Sequence, residues 1–225
     1  MKKKILSSPL QKTTILHRTA CIIGGFTGCY IILRTGLFAS AQTLNLLHIV
    51  IDALSGDIIS ALKLLAAIFI YTLGILLCLC FKVRTPSLVK PLSLTINIIG
   101  IFSYYFMPMN VPGDLQLYPS FFMMAFMWVA FGDSIKGYNS SCIFSTNNLR
   151  QTVYELGAYV LEHDRKHLDK GLFFLGSLIF FHAGAIVAYI STALLGNAGV
   201  LVCLIPIFSA FYILFTEPST IKSAV

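Results

Sequence analysis

"ALKLLAAIFIYTLGILLCLCF", residues 61–81, carries a single charge, Lys63. A helix needs about 20 apolar residues to cross the hydrocarbon of a bilayer. The stretch therefore predicts a membrane-spanning helix, and its surroundings are of the same kind. Of the 225 residues, 57% are hydrophobic and 11% charged, and the mean hydropathy is +0.83. A soluble domain carries about 25% charged residues. The composition predicts an all-α polytopic integral membrane protein forming one membrane domain over 1–225.

Six segments are apolar enough to span: roughly 19–34, 61–81, 91–107, 118–133, 171–192 and 197–215. Charges, prolines and glycines separate them, at Lys82–Lys90, Pro108–Asp114 and Lys136–Lys170. With an N-terminus in the cytoplasm, all 16 Lys and Arg except Arg34 and Lys63 fall on the cytoplasmic side. That bias predicts a multi-pass protein of the cell (plasma) membrane with both termini inside. The net charge of +7 is then a topology signal, and no nucleic-acid partner is implied. "MKKK" before the first apolar run, with Ala39-Ser40-Ala41 after it, has the outline of a secretory signal. Arg34 interrupts the run and further spans follow, so the segment is read as a retained first span.

Cys21, Cys29, Cys78, Cys80 and Cys203 lie in apolar runs, where cysteine acts as a small hydrophobe, and Cys142 stands alone. No disulfide framework or zinc-like spacing emerges. His163 and His167, at i and i+4 beside Asp164, lack a third ligand and are read as a solvated helix surface. No metal and no cofactor is expected, and no nucleophile–base constellation points to an enzyme.

The chain also repeats itself. At an offset of 103, Thr43, Asn45, Leu46, Val50 and Asp52 meet Thr146, Asn148, Leu149, Val153 and Glu155. At 110, Leu62, Leu65 and Gly74 meet Leu172, Leu175 and Gly184; at 105, Phe26 meets Phe131. The order suggests two three-span halves, 19–107 and 118–215, joined through a cytoplasmic or interfacial segment, 134–170. An odd number of spans turns the second half over, which gives an inverted-topology repeat. The first span of each half reads as short, the first having only 15 residues between Arg18 and Arg34. The uncharged stretches 35–51 and 137–149 that follow are apolar enough to dip into the membrane.

"GGFTGCYIILRTGLFASAQTLNLL" (24–47), "ALSGD" (53–57) and "STNNLRQTV" (145–153) resemble the YoaK-like family of bacterial membrane proteins, the domain of unknown function 1275. That family reads Gly-Phe-x-Asp, a phenylalanine-containing stretch, then Thr-Gly-Asn. Here the glycine is absent from Thr43-Leu44-Asn45 and from Thr146-Asn147-Asn148, and Gly28 stands at the aspartate position, with Asp133 its counterpart in the second half. The resemblance implies six spans and supplies no substrate.

Thr and Asn before an apolar-periodic run suit helix N-caps, and Asn148 with Gln151 reads as a capping box. Helix starts also present free N–H groups and a positive dipole end, which suit an anion. The expected function is a small secondary transporter or permease for a small polar or anionic solute. Thr43, Asn45, Thr146 and Asn148 are the candidate substrate contacts, and Asp133 and His182 the candidate proton-coupling groups. The alternative is a non-transporting scaffold or accessory subunit in which the phrases only cap helices. Asn97 reads as interhelical glue. Expected partners are the lipid bilayer and, because six spans enclose little space, a second copy in a homodimer.

Overall fold

The computed structural model describes residues 9–108 and 111–216. Lys2, Lys3, Lys4 and Lys222, which enter the charge bias, lie outside them. The described residues form helices α1 (Pro9–Thr35), α2 (Gln42–Ser55), α3 (Ile58–Arg84), α4 (Pro86–Phe106), α5 (Gly113–Ala130), α6 (Thr146–Glu162), α7 (Arg165–Leu195) and α8 (Leu204–Phe215), with a 3-10 segment, Gly196–Cys203, before α8. Four continuous stretches are long and apolar enough to cross a membrane: Leu10–Thr35, Ile58–Arg84, Pro86–Phe106 and Arg165–Phe215. Leu115–Ala130 is a shorter apolar helix.

The surface is far more apolar than that of a soluble protein. The surface carries Leu62, Leu65, Phe69, Leu76, Ile179, Ile186 and Tyr189, all at least half exposed. The interior holds His17, Thr27, Ser93, Asn97, Gln116, Ser120, Asn148 and Ser177. An apolar belt of this extent is intolerable in water and suits lipid. Of these, His17, Gln116, Asn148 and Ser177 hydrogen-bond across elements, the kind of contact that joins helices where lipid removes the hydrophobic drive.

Two sets of contacts fix the ends of the bundle. At one end Arg34 reaches Gln116 (2.7 Å), the Tyr104 carbonyl (3.2 Å) and Asn197 (2.7 Å), which gathers the ends of α1, α4 and α7 and the start of α5. At the other, Asp133 pairs with Lys82 (2.7 Å) and Lys90 (3.2 Å), and Lys12 donates to the Thr216 carbonyl (3.1 Å). So α1, α3, α4, α5, α7 and α8 alternate in direction. α1 and α5, the most buried of them, are antiparallel and central. α1 packs most closely on α7, and α5 on α3; the fourth helices, α4 and α8, flank α5 and α1 in turn.

Glycines set the closest approaches. A Cβ at Gly184 would overlap the Ile22 carbonyl of α1, and one at Gly25 the Phe181 carbonyl of α7. At Gly74 a Cβ would come within 3.0 Å of Ala125 and of the Phe122 carbonyl on α5.

Four expectations change. α1 is neither short nor broken: it runs from Pro9, and Arg18 lies inside it. The guanidinium is accommodated because it stacks over Phe180 (5.4 Å) beside Gly176, which has no side chain to obstruct it. α5 ends at Ala130 rather than 133. The 134–170 segment is not a plain connector, since it contains α6 and the first turns of α7. His163 and His167 do not share a helix face, because His163 closes α6 at a left-handed φ of 58° and α7 starts afresh at Arg165.

Candidate functional site

Each repeated phrase opens a helix, but neither caps it with Thr or Asn. The N-cap residues are Ala41 and Ser145, and neither makes a side-chain cap. Thr43 and Thr146 are exposed, whereas Asn45 and Asn148 are 1% and 0% exposed. The Asn148 side chain turns back onto the loop before α6. Its Oδ1 accepts from the Ser141 N–H (3.2 Å) and lies 3.0 Å from Ser140 Oγ, and its Nδ2 donates to the Ser141 carbonyl (2.7 Å). A buried loop backbone must be satisfied by something, and a side chain three residues into the helix does it here. Asn148 is a loop clamp, not half of a capping box.

Asn45 has a thinner version of this arrangement. Its Nδ2 reaches Gln42 Oε1 at 3.4 Å, and Gln42 Nε2 donates to the Ala39 carbonyl at 2.6 Å. Asn45 Oδ1 and the neighbouring Ser40 Oγ are buried without a partner. Among the helices, α2 packs on α3 alone and α6 on α7 alone, so the four residues are not gathered into one site.

The loop clamp continues into a buried network that the sequence did not signal. Ser140 Oγ lies 2.9 Å from Ser177 Oγ and 3.1 Å from His17 Nε2. His17 stacks on Phe173 (5.9 Å) and leaves Nδ1 without a partner. α1, the loop, α6 and α7 are thereby joined through polar atoms.

The two candidate coupling groups are satisfied separately. Asp133, in the loop after α5, is held by Lys82 and Lys90. His182 Nδ1 bonds the Leu178 carbonyl of its own helix at 2.8 Å, as its counterpart Thr72 bonds Ile68 (2.9 Å). No hydrogen bond or ion pair joins Asp133 to His182 among the described residues. Asn97 likewise bonds its own helix, at the Ser93 carbonyl (2.8 Å), rather than gluing two helices. At Gly28 a Cβ would lie 2.7 Å from the Phe38 ring, so an acid there would need that ring to move.

The acid of the repeat differs between its two occurrences. Glu155, on α6, is buried, and its carboxylate accepts from Lys170 (2.6 Å) and meets His167 Nδ1 (2.6 Å). Burial pushes its carboxyl up, but the hydrogen bonds from Lys170 and His167 outweigh this and hold it below the usual range. Asp52, on α2, instead lines an open pocket of about 350 Å³. His48, Ser60, Lys63 and Thr35 line it too, with Gly113 and an apolar floor that includes Leu64 and Leu117. Two cationic or ionisable groups, an acid and two hydroxyls in a cavity of this size can take a small polar solute.

Alternating, mostly apolar helices with an apolar outer surface and polar groups buried between them define a polytopic membrane bundle. Residues 16–213 match the family described as Protein of unknown function (DUF1275), and the chain belongs to that family. No curated protein and no solved structure matches the chain.

Proposed function

We infer that the protein is a small secondary transporter or permease for a small polar or anionic solute. In this reading six crossings form two three-helix halves of opposite orientation, with both termini cytoplasmic. The recurrence of an apolar, an amphipathic and two further apolar helices in α1–α4 and α5–α8 supports it. So does the exchange of halves in the packing, with α1 against α7 and α5 against α3. Gly74 and Gly184, equivalent in the repeat, sit at the equivalent contacts.

The observation that carries the reading is an asymmetry between equivalent places. Beside α2 and α3 the acid of the repeat faces a cavity of about 350 Å³. Beside α6 and α7 the equivalent acid is closed off by Lys170 and His167. A transporter caught open on one side of the membrane has this form: one half exposes its acid while the other half closes over the equivalent acid. Lys63, His48 and Ser60 line the cavity with polar groups and Asp52 with a carboxylate. The Thr-x-Asn phrases then fix where α2 and α6 begin, one or two turns before these residues.

The test is solute uptake into proteoliposomes from a panel of amino acids, carboxylates and inorganic anions. It is paired with Ser60→Cys in a cysteine-free background. A transported solute is expected to slow modification of that cysteine by a membrane-impermeant thiol reagent, and modification to stop uptake. If no solute accumulates and none slows the modification, the protein does not transport.

A further inference from the structure

A second cavity, of about 220 Å³, lies at the Lys12 end of the bundle. It is lined by Leu10, Gln11, Thr14, Ile15 and Arg18 of α1 and by Lys136. No carboxylate lines it among the described residues. Four basic residues at this end are engaged: Lys82 and Lys90 by Asp133, Lys170 by Glu155, Lys12 by the Thr216 carbonyl. Arg18 and Lys136 have no hydrogen-bond or ion-pair partner among the described residues, and Arg18 Nε is shielded from solvent with its donor unmade. Two unneutralised cations in one cavity repel each other, and an anion between them removes the repulsion.

Both cations are held in place by dedicated structure. The Arg18 guanidinium lies over the Phe180 ring, and Gly176 leaves the space for its fork. Lys136 stands at a φ of 56°, a left-handed conformation that L side chains adopt rarely, and Gly137 follows at 79°. This tight turn is closed in both directions, Ile135 N–H to the Tyr138 carbonyl (3.1 Å) and Tyr138 N–H to the Ile135 carbonyl (2.9 Å). It is pinned to α7 by the burial of Ile135 and by Tyr138 against Phe173 (5.4 Å) and Phe174 (6.3 Å). Backbone strain at a non-glycine residue that the surroundings enforce is the kind found at functional sites.

We propose that this pocket binds the phosphate group of an anionic phospholipid headgroup. The planar fork of Arg18 suits two phosphate oxygens, and Lys136 adds a point charge. Leu10 and Ile15, 47% and 38% exposed, form an apolar rim where the acyl chains begin. Basic pockets between helices at the membrane surface are the recognised setting for such headgroups. The proposal needs the chain to be embedded in a membrane and is independent of whether it transports.

The test uses the full chain in an uncharged detergent and follows thermal unfolding and, by native mass spectrometry, retained lipid. The probes are phosphatidylglycerol, phosphatidylcholine of the same chain length, and inorganic phosphate. Phosphatidylglycerol is expected to raise Tm and stay bound where phosphatidylcholine does not. Arg18→Gln and Lys136→Asn should each weaken retention about tenfold. Asparagine tolerates the left-handed conformation, so Lys136→Asn removes the charge and keeps the turn. Arg84→Gln, at the same end and outside the pocket, should retain lipid as wild type does. Retention unchanged in Arg18→Gln and Lys136→Asn overturns the site. An equal Tm rise with inorganic phosphate alone overturns the lipid assignment in favour of a free anion.

Discussion

Asn45 and Asn148 occupy the same place in the repeat, yet their removal should cost very different amounts. Asn148→Ala deletes three contacts, to Ser140 Oγ and to the N–H and carbonyl of Ser141. An ordinary hydrogen bond nets about 1 kcal/mol, and a buried group left without a partner costs about 1–3 kcal/mol. Ser140 and Ser141 are each 7% exposed, so water reaches the orphaned groups poorly. The expected loss is about 3–5 kcal/mol. Asn45→Ala deletes one contact at 3.4 Å and removes an oxygen that already lacks a partner. Its expected cost is below about 1 kcal/mol. For a chain of this size 1 kcal/mol moves Tm by about 2–4 °C, so Asn148→Ala should lose about 10 °C and Asn45→Ala under about 3 °C. A thiol-reactive dye reads the transition directly, because Cys21, Cys78, Cys142 and Cys203 are buried and become reactive on unfolding. Equal losses in the two variants would refute the loop clamp and restore a common capping role.

Other expectations follow from the same geometry. Gly184→Ala should lower stability by about 1–3 kcal/mol, since its Cβ overlaps the Ile22 carbonyl, whereas Gly157→Ala, in a helix with open space, should raise it by up to about 1 kcal/mol. Dye-monitored Tm distinguishes the two. Arg34→Lys should cost about 1–3 kcal/mol despite keeping the charge, because one ammonium cannot serve Gln116, Tyr30, Asn197 and the Tyr104 carbonyl together; combined with Asn197→Ala the losses should not add. Glu155 has a depressed folded-state pKa, so its contribution is complete above the ordinary value of 4.5 and is lost as pH falls through the folded value. A Tm-versus-pH series should show an acid-side fall in wild type that is shallower in Glu155→Gln.

The class of the protein was legible because a bilayer demands long apolar runs, and 61–81 supplies one with a single charge. Gly74 and Gly184, aligned in sequence, both lie at close helix contacts, Gly74 against α5 and Gly184 against α1. Where the sequence misled, the deciding partner lay far along the chain. Arg18 read as a span boundary because its charge counts against lipid, but Phe180 and Gly176 on α7 make room for it. Asn148 read as a cap because Asn at a helix start favours that role locally; a buried Ser140–Ser141 backbone took its side chain instead. The Glu155–Lys170 pair depends on the chain breaking at His163 and Asp164, which returns α7 alongside α6. The pocket beside Asp52 draws on α1, α2, α3 and α5 and so leaves no contiguous motif.

The central claim is that α2 and α6, alike in sequence, lie on opposite sides of one membrane. Single cysteines at Ser55 and Glu162, both exposed near the ends of these helices, test it in a cysteine-free background. The measurement is labelling by a membrane-impermeant maleimide in right-side-out and inverted vesicles. Ser55→Cys is predicted to label only from outside and Glu162→Cys only from the cytoplasmic face. Labelling of both from the same face would contradict the inverted halves and the transport reading built on them.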